Sequence, residues 1–264
     1  MLKVENLYHA FNRRTILEDI NFSVEKGQLC GLFGPNGSGK TTLFQCCLGF
    51  IRPDKGMIRF LDKDIRKLTI RETAQHVAYV PQHHTQPFPF QVEEMVLMGR
   101  TPHMRGFYKP AKKDQAAART AMERVGISNL AREPFDILSG GQQQLVLIAR
   151  AIAQGTDMIF LDEPTSALDF RNQTLVWKAL RQIADQGTGI LACSHDPNHV
   201  AWFCDTTVVL GSPGLVAKGD PSKVFSQQLM DEIYKGACEV SHAMDLKIIL
   251  PSGLTRHPAE AAGC

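Results

Sequence analysis

Residues 34–41 read Gly34-Pro35-Asn36-Gly37-Ser38-Gly39-Lys40-Thr41, with Thr42 next. The spacing, G-x-x-x-x-G-K-[ST], suits the capture of nucleotide phosphates. Glycines let the backbone turn inward so that successive N–H groups point at phosphate oxygens. An apolar strand, Leu29–Phe33, runs in, and a helical pattern runs out from Lys40. The helix therefore presents its positive end to the same anion. The Lys40 ammonium neutralises β- and γ-phosphate charge and the Thr41 hydroxyl can ligate Mg²⁺, the roles these residue types take wherever the motif holds a nucleotide. Alone, the motif does not choose among GTPases, kinases, recombinases and other nucleotide binders.

A second segment, Met158-Ile159-Phe160-Leu161-Asp162-Glu163-Pro164, is an apolar strand ending in two carboxylates. Asp162 at the strand tip is placed to hold Mg²⁺, directly or through water. Glu163 is the candidate general base for an attacking water, since a carboxylate between strand and loop can reach it. Without residues 34–41, the pair would read as a solvated turn. A third segment, Leu138-Ser139-Gly140-Gly141-Gln142, precedes a helical run. Ser139 suits an N-cap, and Gly140 and Gly141 admit close backbone approach. Such a helix start is a second anion-binding point. A nucleotide held by residues 34–41 needs no second one in the same molecule, so this one is expected to face the γ-phosphate of ATP held by a second copy.

The ordered set Gly34–Thr41, Gln82, Leu138–Gln142, Asp162-Glu163, Ser166-Ala167-Leu168-Asp169 and His195 resembles the ATP-binding subunit of ABC transporters, from the Phe11 region to about Gly219. The resemblance implies an ATPase with ATP and Mg²⁺ as cofactors, with Glu163, His195 and Gln82 in catalysis and Thr41, Gln82 and Asp162 around the metal. It implies that Gln82 joins Mg²⁺ and water to a helical subdomain and senses a membrane partner. By the same likeness, Asp169 lies on a loop crossing a dimer interface, and His195 contacts the γ-phosphate. Phe11 stands where the family places a ring that stacks on adenine. Read singly, these residues have plainer accounts: Phe11 as core with Tyr8 competing for adenine, Gln82 as loop, His195 as a helix cap beside Ser194 and Asp196.

The elements that must position these groups alternate. Strand-like runs occupy Met1–Leu7, Gln28–Phe33, Met57–Leu61, Val77–Val80, Met158–Leu161, Gly189–Cys193 and Thr206–Leu210, and helical patterns occupy Lys40–Gly49, Gly140–Gln154 and Phe170–Gln186. Alternation of this kind predicts an α/β fold with a mostly parallel sheet, here a P-loop NTPase core. Asn21–Val24 is expected to return antiparallel to the first strand as a β flank. From about residue 91 to 155 the patterns are helical (Val92–Met98, Ala111–Val125, Asn129–Ala131), which predicts an inserted helical subdomain. The expected ATPase domain is 1–236. Residues 237–264 form a tail in which Val240 and Lys247–Leu250 are expected to make a β-hairpin.

Composition limits the partners. A hydrophobic share of 44% over 264 residues can bury one large domain. A net charge of +2 argues against a nucleic-acid partner, which selects a concentrated basic face. No apolar run approaches the roughly 20 residues of a helical span, and the opening Met1-Leu2-Lys3-Val4-Glu5-Asn6 does not read as a signal peptide. The seven cysteines read as reduced core thiols, and Cys238 with His242 reads as a surface turn rather than a metal site. His9, His76, His83, His84 and His103 read as surface or packing residues.

Three stretches carry a finer likeness: 77–82, 87–90 and 96–103 resemble the ATPases of importers for iron–siderophore, haem and cobalamin. Molybdate/tungstate importers are similar there and in 107–110, and Tyr234 to Pro251 again resembles the iron-complex group. The expected function is thus an importer ATPase for iron–siderophore or a related metal complex, with molybdate/tungstate and then zinc or manganese as alternatives. A soluble ABC ATPase of translation or DNA repair is the reading from another class. The expected partners are a second ATPase subunit, a polytopic permease and, indirectly, an extracytoplasmic substrate-binding protein. The expected place is the cytoplasmic face of the inner membrane.

Overall fold

Alternate residues of the central strands pack into two separate apolar layers. In β7 (Met158–Leu161), Met158 and Phe160 face one layer while Ile159 and Leu161 face the other. In β8 (Gly189–Ser194) the same split separates Leu191 and Cys193 from Ile190 and Ala192. A strand's side chains alternate between faces, so a continuous apolar run marks a sheet covered on both sides.

A computed structural model describes residues 1–82, 89–104 and 110–253. The readings on His83, His84, Pro87, Phe88 and residues 105–109, and on the tail past Gly253, lie outside the described residues. In chain order the elements are β1 (Leu2–Phe11), β2 (Arg14–Val24), β3 (Leu29–Phe33), α1 (Lys40–Cys47), β4 (Lys55–Phe60), β5 (Lys63–Asp64), α2 (Ile70–His76), β6 (Val77–Val80), α3 (Val92–Leu97), α4 (Lys112–Arg124), α5 (Gly140–Ala153), then β7. They continue with α6 (Phe170–Asp185), β8, α7 (Pro197–Phe203), β9 (Thr206–Leu210), β10 (Leu215–Gly219), α8 (Pro221–Val224), α9 (Gln227–Tyr234), β11 (Cys238–Ala243) and β12 (Leu246–Pro251).

The main sheet runs β10-β9-β3-β8-β7-β6, parallel except where β10 pairs with β9. A second, antiparallel sheet, β2-β1-β4-β5, covers one face together with α1. This is the expected α/β architecture with its antiparallel flank. The flank is larger than its sequence signal. β1 continues to Phe11 and β2 begins at Arg14, joined by a two-residue turn in which Asn12 and Arg13 hold φ of 48° and 67°. Left-handed turn residues match the twist of a hairpin, so polar residues such as His9 and Arg14 are carried into strand by register. β10 is a further element the periodicity missed, because Gly214 and Gly219 bracket a short edge strand.

The described residues of 91–155 are mainly helical, and 3₁₀ turns replace helix at Met98–His103 and Ser128–Leu130. The 98–103 turn lies tight against α5: a Cβ on Gly99 would come within 2.2 Å of the Arg150 carbonyl. Arg100 locks it there. Its Nη1 donates to Ala153 O at 2.8 Å, and its Nε pairs with Asp114 Oδ1 at 3.1 Å. Burial pushes the Asp114 carboxyl up, but the hydrogen bonds from Arg100 and the Ala111 N–H, with the Arg100 and Lys113 charges, together outweigh this and hold it below the usual carboxylate range. His103 Nε2 adds a 2.7 Å contact to Gln154 O.

The hairpin expected in the tail is present as β11–β12. One expectation there is corrected. Cys238 and His242 sit on strand β11, with Cys238 buried, rather than in a surface turn, because strand pairing and packing on α9 draw Cys238 inward. Six cysteines are described, all as free thiols, five of them buried.

Candidate functional site

α1 opens at Gly39, whose φ of 93° only glycine adopts without strain, and no side chain caps it. The orphan amides of that first turn are therefore left for an outside acceptor. A Cβ on Gly34 would lie 2.4 Å from Leu210 O and 2.7 Å from Ser38 Oγ, whereas Gly37 has nothing within 4 Å. The loop is thus closed against β9 on one side and open on the other. Lys40 is buried, and its Nζ donates to Gly34 O at 2.7 Å and Pro35 O at 3.0 Å. Among the described residues, Ser38 Oγ is buried with no hydrogen-bond partner. A buried cation resting on its own loop's carbonyls, an orphaned hydroxyl and an uncapped helix start fit a polyphosphate.

β7 delivers the carboxylates. Asp162 is buried, its N–H donating to Val80 O at 2.9 Å. Burial, with the Asp162 charge next, pushes the Cys193 thiol far up and the neighbouring Tyr79 phenol to about 12. Both stay neutral beside the strand tip. Thr41 is exposed one residue beyond Lys40. Thr41 and Asp162 supply a hydroxyl and a carboxylate, the hard oxygen donors that Mg²⁺ prefers.

Glu163 holds a left-handed backbone at φ 47°, a conformation that costs a non-glycine residue energy and often marks a working site. Its side chain is gripped from two sides. Gln82 Nε2 donates to Glu163 Oε2 at 2.9 Å, and His195 Nδ1 lies 3.3 Å from the same oxygen. Ser166 closes the turn, its Oγ donating to Glu163 O at 3.2 Å. Three strand ends, those of β6, β7 and β8, therefore converge on one carboxylate.

The Ser139 segment forms a separate cluster. Ser139 Oγ accepts from Gln142 N at 3.4 Å while Gln142 Oε1 accepts from Ser139 N at 3.0 Å, a reciprocal capping box. Its neighbour is the start of α6. Asp169 caps α6, accepting from Asn172 N at 2.8 Å and Asn172 Nδ2 at 3.0 Å. A Cβ on Gly141 would meet Asn172 Cγ at 2.4 Å. Gly141 thus makes room for Asn172 within the chain, while Gly140 stays open apart from Leu168. Among the described residues no hydrogen bond or ion pair joins residues 139–142 to residues 34–41. A cavity of about 190 Å³ between the clusters is lined by Gln82, Glu163, Ser166, Leu168, Gly140 and Gln143, among others.

Phe11 ends β1 with its ring 66% exposed, so it is not core. β2 crosses the phosphate loop, since a Cβ on Gly39 would touch Leu17 and Ile16. The hairpin bearing Phe11 therefore stands beside that loop. Tyr8, the competing ring, lies under the Lys55 ammonium at 6.0 Å. Pro35, Asn36 and Thr42 fall within or next to the loop as placed by sequence.

Two residues of the site were not read from sequence. Asn172 had no signal beyond following Asp169 by three. His199 follows His195 by four and lies on α7, buried between Trp177 and Trp202. Burial lowers its pKa, Asp196 opposes this, and His195 adds to it. Its Nδ1 faces Asp196 Oδ2 at 3.4 Å without a hydrogen bond.

Fold and site together define a P-loop nucleoside triphosphatase. Comparison with known proteins narrows this. Residues 17–166 match the family model described as ABC transporter. A probable iron chelatin transport ATP-binding protein of Helicobacter pylori is 36% identical over 89% of this chain and 92% of its own. The molybdate import ATP-binding protein MolC of Haemophilus influenzae is 39% identical over 79% of this chain and 78% of its own. Among solved structures, a metal-chelate type ABC transporter in an inward-facing conformation superposes with a TM-score of 0.83 at 32% identity, covering 94% of this chain and 95% of that one. The chain belongs to the ABC transporter family and is an ATP-binding, ATP-hydrolysing subunit. None of its described helices is long and apolar enough to cross a membrane.

Proposed function

We propose that two copies of this chain sandwich two ATP molecules and drive a separate permease for import of an iron chelate or related metal complex. One observation carries the pairing: Lys40 with its loop and the capped start of α5 are two anion-facing elements that do not meet within the chain. Each completes a site only across a partner. ATP then bridges the Lys40 loop of one copy and Ser139–Gln142 of the other, with Asp169 near the seam and Phe11 against adenine.

In this reading Glu163 polarises the attacking water, while Gln82 and His195 hold its Oε2 and so orient the carboxylate. Thr41, Gln82 and Asp162 would hold Mg²⁺. When bound, Mg²⁺ neutralises charge on the phosphates. Loss of the γ-phosphate removes the bridging charge, and the pair opens, because a ligand biases an equilibrium only through different affinity for its two states. Residues 1–236 act as the ATPase domain, 91–155 as its helical subdomain and 237–264 as its tail. The pair sits on the cytoplasmic face of the membrane, bound to the permease, with a substrate-binding protein on the other side.

The iron-chelate cargo is supported by the metal-chelate and iron chelatin relatives. The likeness to MolC favours molybdate as the second reading. The test of the pairing is Glu163→Gln. With saturating MgATP it should run as a dimer in gel filtration and retain less than about a hundredth of wild-type hydrolysis. A monomer under those conditions, or wild-type turnover, sinks the proposal. Uptake of a ferric siderophore against molybdate, by the complex with its permease in liposomes, separates the two cargoes.

A further inference from the structure

The tail hairpin is tied to one helix by matched spacing. Asn198 and Trp202 lie four residues apart on α7 and so share a face, about 6 Å apart along the helix. Lys247 and Ile249 lie two apart on β12 and share a face, about 6.6 Å apart along the strand. The two pairs meet. Asn198 Nδ2 donates to Ile249 O at 3.1 Å while Ile249 N donates to Asn198 Oδ1 at 2.8 Å. Trp202 Nε1 donates to Lys247 O at 2.8 Å. The Asn198 amide thus pairs with the strand as another peptide group would.

The other side of the hairpin is tied in the same way. Gln227, first residue of α9, donates to Cys238 O at 3.0 Å and accepts from Val240 N at 2.8 Å. Lys247 Nζ donates to Ser222 O and to Phe225 O, at the end of α8. At the far end of α9, Tyr234 packs on Phe33 with ring centroids 6.3 Å apart, and its hydroxyl donates to the His195 carbonyl at 3.4 Å.

α7 begins two residues after His195. Between them, Asp196 caps the helix by accepting from Asn198 N at 2.8 Å, and its own N–H donates to Ser194 Oγ at 3.1 Å. His195 is therefore held in a short turn between the end of β8 and a helix that the hairpin grips. Its ring is exposed, and its Nδ1 lies 3.3 Å from Glu163 Oε2.

We propose that the β11–β12 hairpin is a strap that fixes α7 and so sets the position of His195 against Glu163, with Asn198 as the principal positioning residue. This rests on the reading of His195 given above and deepens it. Among the described residues, Asn198 makes no hydrogen bond to Gln82, Glu163 or His195. It acts through the turn 194–197.

The experiment compares the full chain carrying Asn198→Ala, Trp202→Phe or His195→Ala. Readouts are kcat and KM for MgATP, and the NMR signals of the His195 imidazole. Asn198→Ala should lower kcat about 5- to 20-fold, since a small misplacement of a catalytic group is costly. KM should stay within about twofold, and the imidazole signals should shift. Trp202→Phe keeps a smaller aromatic ring and deletes the indole N–H bond to Lys247 O, so it should act in the same sense with a smaller effect. Wild-type kcat and unmoved imidazole signals in both variants overturn the proposal. So does a loss shared equally by kcat and KM with those signals unmoved, which marks a purely structural contact. Wild-type kcat in His195→Ala instead overturns the reading of His195, and the strap is then judged on the imidazole shift alone.

Discussion

Gln82 Nε2 and Glu163 Oε2 stand 2.9 Å apart although the residues are 81 positions apart in the chain. The amide comes from the segment after β6 and the carboxylate from the tip of β7, which are neighbouring parallel strands. The same oxygen faces His195, from the next strand over. Removing the amide should leave Glu163 free to rotate. Gln82→Ala is expected to lower kcat about tenfold with little change in KM, measured by steady-state phosphate release. Gln82→Glu should lower it further, because two carboxylates at this spacing repel.

The phosphate loop makes a prediction about glycine. Gly34→Ala would drive a Cβ onto the Leu210 carbonyl, and the backbone of β9 cannot yield cheaply. Strain of roughly 1–3 kcal/mol in the loop corresponds to a loss of about tenfold or more in ATP affinity. Gly37→Ala meets open space and bears only the cost of a side chain at φ 83°, about 1 kcal/mol. Equilibrium binding of a fluorescent ATP analogue should rank Gly34→Ala well below Gly37→Ala.

The Arg100–Asp114 pair holds the 98–103 turn against α5. Arg100→Met would remove the charged partner of the buried Asp114 carboxylate and leave it the Ala111 N–H. Because the Ala111 N–H still holds the carboxylate, the expected cost is on the order of 2 kcal/mol, below that of a buried charge left with no partner. Urea denaturation should show it as a lower midpoint, with ATP binding by the Lys40 loop unaffected.

His199 should make stability fall in mild acid. Burial holds its pKa below the ordinary value, against Asp196 and with His195. Below about pH 6.5 the unfolded chain takes up a proton that the folded chain refuses. Its contribution is therefore complete above that pH and is lost as pH falls towards the depressed folded value. Between about pH 7.5 and 5.5 the wild type should lose a few degrees more in melting temperature than His199→Gln. Equal losses would show that another group carries the dependence.

Local chemistry was legible where one short segment carries both its element and its role. Gly34–Thr41 names a strand-to-helix phosphate loop because glycine placement and the Lys-Thr pair are local requirements. Ser139 and Gln142 read as a helix start for the same reason, and the structure shows their capping box. The parallel core was legible because strands buried on both faces are apolar without interruption. β10 and the long β1–β2 hairpin were not, since edge and flank strands carry polar residues whose pairing is set by distant partners.

The sequence by itself determined which side chains can do chemistry and which elements bear them, because motif spacing and hydrophobic period are properties of neighbouring residues. Only the tertiary structure decided that Gln82, Glu163 and His195 share one oxygen, that Gly141 yields its space to Asn172, and that the tail hairpin seats on α7. Each is a contact between residues far apart in the chain, created when strand order and sheet twist bring their ends together, and no local pattern encodes it.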